Sequence, residues 1–179
     1  MKQVVAIVLL ALVGCSGGNN PTSDGAPPAD IAVFEPITVY VVRHAETGST
    51  ATDPPLDATG QTRATALATL LADDNIGLVL TSQFMRTQLT GKPTADAAGI
   101  SVTVHAVGNN ALTYGDQLEA MVRAAKPGAA LIVGHSNTVP ATVQAFTGTD
   151  VDPISETEFD RLFTITVTET GATVVEGTY

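Results

Sequence analysis

Two apolar runs in this chain each end in a histidine, Val41-Val42-Arg43-His44 and Ile132-Val133-Gly134-His135. Imidazole is the one common side chain that is a neutral nucleophile near pH 7. Arg43 sets a fixed positive charge beside the first ring. A second guanidinium, Arg86, follows a third apolar run in Thr81-Ser82-Gln83-Phe84-Met85-Arg86. Each arginine offers a planar fork of donors that fits phosphate oxygens. These residue types suit a neutral nucleophile set beside donors for phosphate oxygens. Taken alone, an Arg-His pair at a strand end reads more plainly as a solvated pair. A zinc site built from His44, His135 and a carboxylate is a further reading, ranked last because two arginines would repel the cation.

Residues so far apart need a scaffold that gathers them. The apolar, β-branched stretches 37–42, 76–81, 100–104 and 129–133 read as strands. Helical spacing of Ala64, Leu67, Ala68 and Leu71 predicts a helix from Thr59 or Gly60 to about residue 72. Further helices are expected over 83–98, with Ser82 as N-cap, and over 115–125 and 139–146. Strands 162–168 and 172–176 flank Glu169-Thr170-Gly171 as a hairpin. Alternating strands and helices predict a three-layer α/β/α fold, with a largely parallel central sheet and an antiparallel edge formed by the C-terminal hairpin. Parallel strands bring their carboxyl ends to one rim, where such sheets bind ligands. His44 and His135 then become neighbours. The helix carrying Arg86 directs its N-terminus to the same rim, which favours an anion there.

The chain has 179 residues, 44% of them apolar, enough for one domain with a real core. Its 18 acidic and 8 basic residues give a net charge of −10, which argues against nucleic acid or anionic lipid as the main partner. Met1-Lys2, the apolar run 4–12 and Gly14-Cys15 resemble a bacterial lipoprotein signal. On that reading residues 1–14 are a cleaved signal peptide, Cys15 is lipidated, 15–30 is a flexible Gly/Asn/Pro/Ser tether, and 31–179 is the folded domain. The expected location is the cell envelope, exported and lipid-anchored on the periplasmic face. Ser16 is compatible with sorting to an outer membrane. Cys15 is the single cysteine, so no intramolecular disulfide can form.

Four segments together resemble the histidine phosphatase superfamily, the phosphoglycerate-mutase-like group. They are Arg43-His44-Ala45-Glu46-Thr47, Leu56-Asp57-Ala58-Thr59-Gly60-Gln61-Thr62-Arg63-Ala64, Ser82 with Arg86 and Thr90, and Gly134-His135-Ser136. Their order and spacing agree from about residue 37 to the C-terminus. The resemblance implies that His44 attacks phosphorus to form a phosphohistidine, which water then hydrolyses. It also implies that Arg43, Arg86 and His135 surround the phosphoryl group, and that no metal or other cofactor takes part.

The leaving group needs a proton, and a carboxyl near the pocket is the natural donor. In many relatives it lies between the third strand and the next helix, which makes Asp116 the first choice here and Glu119 the second. An N-cap or helix-dipole role for Asp116 is the competing reading. Glu46 is expected to orient the pocket by hydrogen bonding. Thr50 stands where some members carry a phosphate-binding Asn. Ser136 and Asn137 either donate to substrate or cap the helix that follows, and His105 is expected to be structural. The resulting expectation is a metal-independent phosphomonoesterase acting on a phosphorylated small molecule, sugar, lipid or protein, attached to the membrane through its lipid alone. The alternatives are a non-catalytic lipoprotein that binds a phosphorylated ligand, and a phosphomutase.

Overall fold

The computed structural model describes residues 34–48 and 52–179. The signal peptide, Cys15, the whole tether and Thr50 lie outside the described residues. In chain order the elements are β1 (Ile37–Arg43), α1 (Ala58–Leu70), β2 (Ile76–Thr81), α2 (Met85–Ala97), β3 (Val102–Val104), α3 (Ala111–Ala125), β4 (Ala129–Gly134), α4 (Thr138–Thr147), β5 (Arg161–Val167) and β6 (Ala172–Thr178). They form one six-stranded sheet in the order β3-β2-β4-β1-β5-β6. The first four strands of that order run parallel, and β5 and β6 add the antiparallel edge.

Successive side chains of a strand point to opposite faces, and β1 divides its residues accordingly. Val39 and Val41 join Leu80, Ile132, Phe163 and Ile165 in a core with Tyr114, Leu118 and Val122 of α3 and Val139 and Val143 of α4. Val42 joins Val79, Leu131 and Val133 in a second core with Leu67 of α1 and Ala95 of α2. Helices therefore cover both faces, which gives the three layers expected. Full burial of each such Val, Leu or Ile contributes about 1.5–3 kcal/mol, so β1 and β4 are fixed along their length and deliver their last residues to a set position.

All four helix starts differ from the sequence reading, that of α4 by one residue only. For α1 the difference is one residue, with Asp57 accepting from Gly60 N at 2.8 Å as N-cap. In α2 the first residue is Met85, and Ser82 does not cap it. Asp53 takes that role from another loop, accepting from Met85 N at 2.8 Å. The start of α3 comes four residues early, at Ala111, because Asn110 accepts from Leu112 N and Thr113 N. Gly115, read as the start, lies inside the helix. A Cβ there would stand 2.6 Å from the Ala141 carbonyl oxygen, so its absence lets α3 lie against α4.

Candidate active site

The ends of β1 and β4 lie side by side. Arg43 pairs with Gly134, and the ladder continues one step further as His44 N donates to Gly134 O at 2.9 Å. The His44 and His135 rings meet edge to face with centroids 5.4 Å apart. Both are buried. They line a cleft of about 300 Å³ together with Arg43, Arg86, Phe84, Ser136 and Glu156.

Nδ1–H of His44 donates to Ala45 O at 2.8 Å, which leaves Nε2 as the nitrogen with the free lone pair. Burial, with Arg43 and Arg86 adding to it against the Ala45 hydrogen bond, lowers the His44 pKa to about 4. Burial and the neighbouring His44 and arginines bring His135 to about 3. Both rings are neutral at physiological pH. His135 Nε2 shares a 2.9 Å hydrogen bond with Ser82 Oγ, which in turn bonds Thr87 Oγ1 at 2.9 Å. Ser82 thus orients the second histidine, in place of the capping role expected for it.

The arginines differ in how they are held. Arg43 donates through Nη1 to Ser155 O and Glu158 O and through Nη2 to Glu156 Oε2, and it stacks on Phe159. Its Nε is buried without a partner among the described residues. Burial lowers the Arg43 pKa despite the opposing pull of Glu156. Arg86 lies over the Phe84 ring and 3.6 Å from Asp53.

Each of the four motif segments supports another. Thr90 Oγ1 accepts from Ala45 N at 2.9 Å and donates to Arg86 O, tying α2 to the β1 loop. Glu46 holds Arg63 of α1 through both carboxylate oxygens at 2.8–3.0 Å. Burial would raise the Glu46 carboxyl, but the Arg63 bonds outweigh it and hold the pKa below the usual range. Glu46 does not line the cleft. Its part is to fix the loop, as expected. Ser136 and Asn137 do line the cleft, and Asn137 makes no side-chain cap to α4. His105 stands apart, stacked on Tyr114 and bonded to Gln117.

The proton donor is where the sequence reading and the structure part. Asp116 is exposed on the second turn of α3, and Glu119 is paired with Arg123 at 2.8 Å. Neither is among the residues that line the cleft. The carboxylate that does line it is Glu156, in the irregular segment before β5, which the sequence reading passed over. A topological signal pointed there. β5 runs antiparallel to β1, so it begins where β1 ends, and the segment leading into it has to cross the rim.

The model for the histidine phosphatase superfamily (branch 1) matches residues 39–107, which include Arg43, His44 and Arg86. The whole described domain has the same fold as solved structures of that group. The chain is therefore similar to the histidine phosphatase superfamily in this stretch and shares the fold of its solved relatives. His135 lies beyond the matched stretch and joins Arg43 and His44 through the pairing of β1 with β4. The protein histidine phosphatase SixA, solved with tungstate, is 18% identical, with a TM-score of 0.64 over 79% of this chain and 96% of its own. A mycobacterial glucosyl-3-phosphoglycerate phosphatase is 13% identical, with a TM-score of 0.63 over 81% of this chain and 99% of its own. A SixA candidate from Nakamurella multipartitia is 26% identical, with a TM-score of 0.56 over 81% of this chain and 97% of its own. No protein of curated function matches the sequence.

Proposed function

We propose that this chain is a phosphatase of the histidine phosphatase superfamily that hydrolyses a phosphomonoester through a phosphohistidine on His44, with no metal taking part in the step. One observation carries the reading. His44 is neutral and is fixed through Nδ1, with Nε2 free in a cleft lined by Arg43, Arg86 and His135. Nε2 attacks phosphorus while the two guanidiniums and His135 take the charge on the equatorial oxygens, positioning and electrostatics carrying the catalysis. The oxyanion tungstate in the SixA structure supports the same use of the fold. Among the described residues no group of three His, Cys, Asp or Glu stands close enough to hold a metal ion.

The open cleft, with no inserted cap over it, suits a phosphate carried on a bulky group such as a sugar, lipid or protein side chain. The N-terminal signal supports an enzyme tethered through Cys15 to a membrane of the cell envelope. An enzyme in that place would not meet glycolytic phosphoglycerates, which disfavours a mutase. A binding lipoprotein is the second reading, favoured by the absence of Asp116 and Glu119 from the cleft.

Hydrolysis of an aryl phosphate by the full chain in detergent, with and without EDTA and beside His44→Ala, decides between them. Activity that survives the chelator and is lost in the variant is expected. An inactive wild type that still binds inorganic phosphate through Arg43 and Arg86 would favour the binding lipoprotein.

A further inference from the structure

The segment between α4 and β5 has no regular structure, yet it is fixed at several points. Arg43 holds the carbonyls of Ser155 and Glu158. Arg161 holds those of Asp152 and Pro153 at 2.9 and 3.4 Å. Ile154 is buried in the core between them. A segment anchored this way places its next side chains with little freedom. Glu156 is the one it sets over the cleft, with a side chain that is 84% exposed. One carboxylate oxygen accepts from Arg43 Nη2 at 3.1 Å and the other from Ser136 Oγ at 3.1 Å.

His44 and His135 are buried at the floor of this cleft and Glu156 stands at its mouth. Attack from the floor by Nε2 puts the leaving oxygen opposite, toward the mouth, because nucleophile and leaving group lie in line on phosphorus. We propose that Glu156 is the general acid of the reaction, the role the sequence assigned to Asp116. This rests on the phosphatase reading above.

An incoming phosphate competes with Glu156 for Arg43. The reaction starts with Glu156 displaced from the guanidinium and carrying a proton drawn from solvent. In the first step the His44 Nε2–phosphorus bond forms, the bond from phosphorus to the leaving oxygen breaks, and that oxygen takes the Glu156 proton with its new electron pair. In the second step water attacks phosphorus, Glu156 accepts the water proton, and the bonding pair returns to Nε2 as phosphate departs. The ester and one water become an alcohol and phosphate, with Glu156 protonated again for the next cycle.

Leaving-group dependence tests the assignment, because an alkoxide needs the proton far more than a nitrophenolate does. Wild type and Glu156→Gln, as full chains in detergent, are compared on p-nitrophenyl phosphate and on glycerol phosphate. The amide retains an acceptor for Ser136 and the side chain is exposed, so the fold is expected to be kept. Binding of inorganic phosphate, at least as tight as in wild type, verifies it. In kcat/KM, which reports the reaction only as far as phosphoryl transfer to His44 with departure of the leaving group, the variant is expected to lose about a hundredfold or more on glycerol phosphate and to stay within about threefold on the aryl ester. Equal losses on both, or no loss on either, would overturn the proposal. Equal gains on both would overturn it too, making Glu156 only a competitor for Arg43. A wild type that cleaves the aryl ester alone also counts against it. A wild type inactive on both esters, and no different from His44→Ala, would instead remove the phosphatase reading on which it stands.

Discussion

At the scale of single residues the site depends on keeping His44 neutral. Its pKa of about 4, set mainly by burial, lies well below the ordinary 6.5. The acid limb of kcat/KM on an aryl phosphate is therefore expected to fall near pH 4 rather than near 6.5. A midpoint close to 6.5 would mean that the ring is hydrated and the cleft open to its floor. The same shift bears on stability. Between about pH 6.5 and 4 the unfolded chain protonates this ring and the folded chain does not, so the unfolded state binds more protons. The contribution is complete above 6.5 and is lost as pH falls through that window, on the order of 3 kcal/mol for a shift of this size. Urea midpoints at pH 7 and pH 4.5 are expected to draw together in His44→Asn relative to wild type.

Arg86 carries a different expectation. Among the described residues it bridges no backbone carbonyls and contacts Asp53 at only 3.6 Å. Arg86→Ala should cost kcat about 10²–10³, as loss of one preorganised donor does elsewhere, with the melting temperature nearly unchanged. Arg43→Ala should lower both, because Arg43 also holds the segment before β5 through two carbonyls. A thermal shift beside the kinetics separates the two arginines.

Between elements, the tightest approach near the site is that of α1 to the loop after β1. A Cβ on Gly60 would stand 2.2 Å from the Glu46 carbonyl oxygen and 2.9 Å from its nitrogen. Gly60→Ala must therefore push α1 away from the loop that holds His44 and Glu46. Destabilisation of about 1–3 kcal/mol is expected, with a larger fractional loss of kcat than of phosphate affinity, since the nucleophile moves while the arginines stay. Denaturant melts and steady-state kinetics on this one variant check both halves.

The same scale shows what could be read beforehand. β1, β2 and β4 were legible because their residues are apolar and β-branched and are buried on both faces. Their endings placed Arg43, His44 and His135 at one rim before any coordinates. The start of α3 was not legible, because Gly115 carries a local signal for a break and its packing against Ala141 is a tertiary fact. That error moved Asp116 toward the cleft on paper. Glu156 escaped because an irregular segment has no periodicity, and its position is imposed by Arg43 and Arg161 from other parts of the chain.

For the whole molecule, charge and anchoring have to act together. A net charge of −10 repels anionic lipid headgroups, so the domain has little affinity of its own for a membrane surface. Among the described residues no helix is long and apolar enough to cross a bilayer. On the lipoprotein reading proposed above, membrane attachment rests on lipid at Cys15. Single chains hold proteins only marginally, whereas multiple acyl chains give stable anchoring. Cys15→Ser is expected to move the protein from the membrane fraction to the soluble fraction while leaving turnover of a soluble aryl phosphate unchanged. Fractionation of cells expressing each form, with labelled palmitate incorporated only by wild type, measures the first part. Assay of both fractions measures the second. Retention of Cys15→Ser in the membrane would place the anchor elsewhere. Loss of activity in the soluble form would show that the tether serves the domain as well as its location.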